Sequence, residues 1–139
     1  MMMNTWQTQE KLKRRFTLPN EVFSLELNSA EISIYAYLLY CEDRKTHQCW
    51  PSYKTISKAV DLSLKTVKKY VTELVEKGLI STENTTVTTK KGIKRNGSLR
   101  YTIRPIKEAV ELHEKKQLRQ LELDTAQWNA EQALKEKAG

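Results

Sequence analysis

Glycine, proline, cysteine and histidine are all scarce: the 139 residues contain 4, 3, 2 and 2 of them. The few glycines are scattered, which excludes a Gly-rich phosphate-binding loop. No Ser/His/Asp pattern surrounds His47 or His113, and neither has an evident partner, so an enzyme is not expected. Cys41 and Cys49 do not form a CxxC pair, and two cysteines make no disulfide framework. With His47 they read as C-x5-H-x-C, which lacks a fourth ligand and matches no common zinc module. The expectation is therefore no metal and no cofactor, with one core cysteine at a helix end and one in a turn. No apolar run approaches the ~18 residues needed to span a bilayer. The longest runs from Ile34 to Cys41, a buried-helix length. The first residues lack the apolar stretch of a signal peptide, which predicts a cytoplasmic protein.

Positive charge is what the chain has in excess. Its formal net charge is +7, and the surplus is localised. Residues 42–104 hold 14 Lys and Arg against 6 Asp and Glu, while the flanks are nearly balanced, 4 against 4 before and 6 against 7 after. A basic surplus confined to one segment points to an acidic partner such as nucleic acid.

The chain divides into three parts: a flexible basic arm over residues 1–15, a compact domain over 16–104, and a helix over 105–139. In the domain, Phe16, Leu18, Val22, Phe23, Leu25 and Leu27 are scattered apolar anchors of an extended lead-in, with a Pro19-Asn20 turn. Asn28 followed by Glu31 fits a capping box. The next stretch, ISIYAYLLYC, is apolar nearly all round, as in a helix buried on several sides. Tyr35, Tyr37 and Tyr40 are read as packing residues on it. Trp50 precedes a proline and stays extended. It is read as a core plug. Ser52 is an N-cap, and Ile56, Ala59 and Val60 mark a short amphipathic helix. Ser63 caps a second helix, Leu64 to Lys77, whose Val67, Val71, Leu74 and Val75 share one face. Gly78 stands where a C′ glycine is expected.

Past Gly78 the period changes to two. Leu79 to Thr89 is rich in Thr and Val, and Leu99, Tyr101 and Ile103 alternate with polar residues. Asn96-Gly97 between them predicts the tight turn of a β-hairpin. Pro105 ends the hairpin, and Ile106 to Lys137 holds neither Gly nor Pro, predicting one long helix. Its apolar stripe is thin: Leu118, Leu121, Thr125 and Trp128. The fold class is mainly α with a small β-hairpin, a winged helix-turn-helix domain followed by a long C-terminal helix.

A helix-turn-helix places its second helix in the DNA major groove. The segment TISKAVDLSLKTVKKYV supplies both helices and the turn, with Asp61 where a left-handed residue is often needed. Ser63, Lys65, Thr66, Lys68, Lys69 and Thr72 face outward on the second helix. Lysine and threonine there suit phosphates, guanine acceptors or thymine methyls. Ser52, Tyr53, Lys54 and Thr55 are placed to clamp the backbone. Lys90, Lys91, Lys94, Arg95 and Arg100 form a basic wing able to follow phosphates or enter a minor groove. The plain reading of each lysine-rich face is solvated surface. Trp128 reads equally as a dimer contact or a cap over the domain, and His113 carries no signal.

The string QCWPSYKTISKAVDLSLKTVKKYVTELVEKGLI resembles the signature of small bacterial winged helix-turn-helix domains. These occur in regulators and in N-terminal modules of replication initiator A-type plasmid proteins. The resemblance covers about Leu25 to Ile103. Val60 and Val71 replace leucines of the pattern, Ser57 replaces a small alanine and Asp61 a glycine. It implies double-stranded DNA as the partner. Three readings stay open: a sequence-specific transcriptional regulator, dimeric through the C-terminal helix; a replication-initiation or plasmid-maintenance module; and a winged helix used for protein–protein contact. Apolar pockets leave no motif, so a small-molecule effector is neither implied nor excluded.

Overall fold

The computed structural model describes residues 15–138, so the arm expected over 1–15 lies outside the described residues apart from Arg15. A 3-10 turn, Asn20–Phe23, precedes helix α1, Ser29–Cys41. Strand β1, Gln48–Cys49, leads into helices α2, Tyr53–Val60, and α3, Leu64–Glu76. A long hairpin of β2, Ile80–Thr88, and β3, Lys94–Ile103, follows, and helix α4, Ile106–Ala138, ends the chain.

Helix α1 starts where the sequence predicts. The Glu31 amide donates to Asn28 Oδ1 at 2.8 Å, and the Asn28 amide donates to Glu31 Oε1 at 3.2 Å, a complete capping box. Its all-round apolar character makes it the centre: Ile34, Tyr35, Leu38 and Leu39 are buried, and it packs against α2, α3 and β3. Around it lie Val22, Leu25, Ile56, Val67, Leu74, Leu79 and Tyr101. The Leu79 amide donates to the Leu74 carbonyl (3.1 Å) and that of Gly78 to Val75 (3.0 Å), closing α3 in a Schellman motif. Gly78 has φ +81°, and a Cβ there would meet Leu112 Cδ2 at 3.3 Å. The glycine thus both stops α3 and lets α4 lie close against it.

Several expectations are corrected. The lead-in is not extended, because Val22 donates to Pro19 (3.3 Å) and Ser24 to Glu21 (3.0 Å), winding it into the 3-10 turn. This turn buries Val22 and leaves Phe23 77% exposed. Trp50 is 48% exposed and so is not a core plug, and Tyr40 is 69% exposed because it looks away from the α1 core face. Cys49, expected in a turn, is the buried cysteine, and Cys41 at the helix end is only half-buried. The reason is that Gln48–Cys49 forms a third strand, giving an antiparallel sheet of order β1-β3-β2, with Cys49 opposite Tyr101. Val75 lies at the edge of its face and is exposed.

The hairpin turn is also displaced. It falls at Thr89–Ile93, where Gly92 has φ +77° and its amide donates to the Thr89 carbonyl at 2.9 Å. Asn96-Gly97 lies within β3 instead. The register passes from Asn84↔Leu99 to Thr86↔Asn96, so one extra residue sits on β3 at a bulge beside Gly97. Glycine within a strand commonly marks such a site.

The sequence also gave no sign of an internal ion pair. Glu31 is 2% exposed, and Lys77 at the end of α3 reaches it at 2.8 and 3.0 Å. The same ammonium donates to the Glu26 carbonyl at 3.3 Å.

Helix α4 follows β3 after only Arg104 and Pro105. Arg104 donates through Nε and Nη2 to both carboxylate oxygens of Glu108, at 3.0 and 2.9 Å. Ala109 is the only buried residue of α4, while Leu118, Leu121, Leu123, Trp128 and Leu134 are each more than half exposed. Among the described residues no helix is long and apolar enough to cross a membrane. Nor does any group of three or more His, Cys, Asp or Glu among them suit a metal ion.

Candidate nucleic-acid interface

The two helices of the motif are set by their caps and by one strained residue. Ser52 Oγ accepts from the Thr55 amide (3.1 Å), and Ser63 Oγ accepts from the Thr66 amide (3.2 Å). Between them Asp61 adopts φ 57°, ψ 50°, the left-handed conformation anticipated at the turn. Ser57 locks this corner, since its hydroxyl bonds the Leu62 carbonyl while its own carbonyl accepts from the Leu62 amide at 3.1 Å. The residue that departs from the small alanine of the resembled pattern is therefore a tie across the turn. Sequence spacing alone did not reveal that bond.

Helix α3 buries Val67, Val71 and Leu74. Residues three and four apart share a helix face, so the opposite face goes to solvent. Lys65, Lys68, Lys69 and Thr72 are exposed there, with Ser63 exposed at the cap and Thr66 half-buried. Two lysines are held over aromatic rings. Lys68 Nζ lies 5.7 Å from the Tyr53 ring centre and Lys69 Nζ 5.2 Å from that of Tyr70. The first contact crosses from α3 to the start of α2, so Tyr53 orients a lysine on the solvent face of α3. Thr72 donates its hydroxyl proton to the Lys68 carbonyl at 3.0 Å, leaving lone pairs outward.

At the start of α2, Ser52, Lys54 and Thr55 are exposed and Tyr53 is half-buried. The Ser52 and Thr55 hydroxyls lie 2.9 Å apart and bond each other. These hydroxyls serve the cap, so the cation of this cluster is Lys54.

The wing residues do not form one group. Lys90 and Lys91 are exposed at the hairpin turn. Lys94 and Arg95 sit on β3 opposite Thr88 and Val87, and their side chains lie outside the described residues. Arg100 is apart from them, deep in the hairpin and paired in register with Glu83, whose carboxylate its guanidinium bonds. Cross-strand pairing of opposite charges stabilises the hairpin, and it withdraws Arg100 from the basic tip.

Residues 25–80 match the family described as a helix-turn-helix domain. No curated protein matches the chain in sequence. Among solved structures, one titled a possible transcriptional regulator from Methanosarcina mazei Go1 is 20% identical, with 76% of this chain and 82% of that chain covered and a TM-score of 0.48. MepR of S. aureus, solved as a DNA complex, is 15% identical, with 91% and 86% covered and a TM-score of 0.43.

Proposed function

We propose that this helix-turn-helix protein, winged by the β2–β3 hairpin, binds double-stranded DNA in a sequence-specific way and acts as a transcriptional regulator. One observation carries the reading: Lys65, Lys68 and Lys69 are exposed together on the solvent face of α3, the second helix of the motif. A helix so placed can enter the major groove with its first turns against base edges. In this reading Ser63, Lys65, Thr66, Lys68, Lys69 and Thr72 meet the groove, and Ser52, Tyr53, Lys54 and Thr55 hold the backbone on one side. Lys90, Lys91, Lys94 and Arg95 add salt-sensitive affinity from the wing, with Arg100 reserved for Glu83. Residues 16–104 act as the DNA-binding unit and α4 as the element that joins two copies in the cytoplasm. Its exposed leucines and Trp128 supply the apolar surface for that contact.

Duplex binding measured across salt concentration tests this. Each phosphate neutralised by a lysine contributes about −0.9 to the log-log slope. Lys65→Ala and Lys69→Ala should each weaken binding at unchanged folding, and a slope near zero for the wild type would sink the proposal. Selection of bound fragments then separates a regulator, with sites scattered among promoters, from a replication module, with repeated origin sites.

A further inference from the structure

Between the start of α2 and the wing lies a groove of about 290 Å³, which shares Ser52 and Tyr53 with the proposed backbone contacts and has most of its lining outside them. Pro51 and Tyr53 line it from the helix side, and Gly97, Leu99 and Tyr101 from the wing. Ser52, Ser98 and Asn84 complete the lining, which contains neither a cation nor a carboxylate. A neutral, partly apolar groove is a poor host for a phosphate, which needs opposing charge or several donors. Its size sits at the lower end of ligand clefts, about 300 Å³.

Tyr101 gives the groove its chemistry. The residue is fully buried and its hydroxyl has no hydrogen-bond partner among the described residues. An enclosed hydroxyl left unpaired costs about 1–3 kcal/mol, which a phenylalanine at the same place would avoid. A hydroxyl kept under that penalty calls for a partner, and the groove whose wall Tyr101 forms is the space from which one can come. We infer that this groove binds a small, neutral, one-ring aromatic molecule bearing a single hydroxyl or carbonyl, which pairs with the Tyr101 hydroxyl. The ring stacks among Pro51, Tyr53 and Leu99, and the polar group replaces the missing hydrogen bond. Because the hydroxyl is enclosed, a ligand reaches it only if the elements that line the groove, the wing and the start of α2, part. Occupancy is therefore coupled to the wing's position relative to α2, the two elements that flank the groove.

The test uses the full chain without DNA, so its outcome is independent of the DNA reading. Phenol is the probe and inorganic phosphate the charged control, each followed by amide chemical shifts. Phenol should move the amides of Asn84, Ser98 and Tyr101 at concentrations up to about 10 mM, a range that covers millimolar affinity, and phosphate should not. Tyr101→Phe should bind phenol at least about fivefold more weakly, about 1 kcal/mol or the worth of one hydrogen bond, with a melting temperature equal to or above that of the wild type. No movement of these amides by phenol, stronger movement by phosphate, or equal phenol affinity in a folded Tyr101→Phe chain would each overturn the inference. Were the variant to unfold, the wild-type shift map alone would decide between the same outcomes.

Discussion

Lys77 and Glu31 show how far one side chain's surroundings can decide its worth. The two ends of their ion pair differ, with Glu31 2% exposed and Lys77 31% exposed. Removing the ammonium leaves a carboxylate inside the protein, whereas removing the carboxylate leaves a lysine that can turn to water. Lys77→Met should therefore cost about 3 kcal/mol or more. Glu31→Met should cost less, about 1–2 kcal/mol, chiefly through the lost capping bond. Urea unfolding of both variants and the double variant checks this, and a smaller loss for Lys77→Met would contradict it. A second residue sets behaviour in alkali. Burial, with help from Glu42 and Glu21, pushes the Tyr35 phenol from 10.0 up to about 12. The unfolded phenol ionises first, so this stabilisation is complete below pH 10 and disappears between about pH 10 and pH 12. Tyr35→Phe should flatten the loss of stability over that window, followed by circular dichroism. It will not abolish the loss, since Tyr37 is also raised, to about 12, by its hydrogen bond with Cys41 and by burial. Tyr35 was legible as a packing residue and Glu31 as a cap, but neither the ion pair nor the raised phenol was. The cation of Glu31 stands 46 positions away. Trp50 and Tyr40 misled in the opposite direction, because apolar character states a preference for burial and only packing assigns the face.

At the scale of elements, local chemistry was the better guide. Asn28, Ser52 and Ser63 cap the helices they were expected to cap, because a cap needs only residues within three positions. Asp61 belongs to the same class, and its left-handed backbone gives a direct check. A β-branched residue there clashes where aspartate is tolerated. Asp61→Val should lose about 1–2 kcal/mol, and Asp61→Gly should stay near neutral, its relief offset by greater freedom of the unfolded chain. Equal thermal stability of Asp61→Val and wild type would show that the turn is not under this constraint. The strands were harder. Asn96-Gly97 is a strong turn signal, yet Gly92 takes the turn, because the register is fixed by the core end of the hairpin. There Ile80 pairs with Ile103 and Thr82 with buried Tyr101. Strand β1 is two residues long, too short for alternation to show. The candidate interface divides in the same way. The lysines of α3 followed from helical spacing, but Arg100 could not be separated from the wing tip without knowing that Glu83 lies across from it.

For the molecule as a whole, the uneven charge has a structural counterpart. The basic middle segment folds into the compact domain, and the nearly neutral end forms α4, a rod of 33 residues, about 50 Å at 1.5 Å per residue. Among the described residues its first turns lie against the domain, through Ile106, Ala109, Val110 and Leu112, and Lys116 donates to the Glu76 carbonyl at 3.5 Å. Ending the chain after Gln117 should leave the melting temperature of the domain nearly unchanged and, with α4 joining two copies as proposed, give a monomer in sedimentation where the full chain gives a dimer. A truncated chain that still sediments with the molar mass of a dimer would remove α4 from the assembly. The junction of α4 with the wing carries a thermodynamic consequence. Strand β3 runs into the rod through two residues, and the Arg104–Glu108 fork stiffens the joint. In the proposed dimer, a torque applied to the rod by a second copy would therefore be delivered to the hairpin rather than absorbed by a loose linker. Under that proposal self-association and DNA affinity share one coupling free energy. Whatever factor pairing adds to the hold on the duplex, the duplex must return to the pairing.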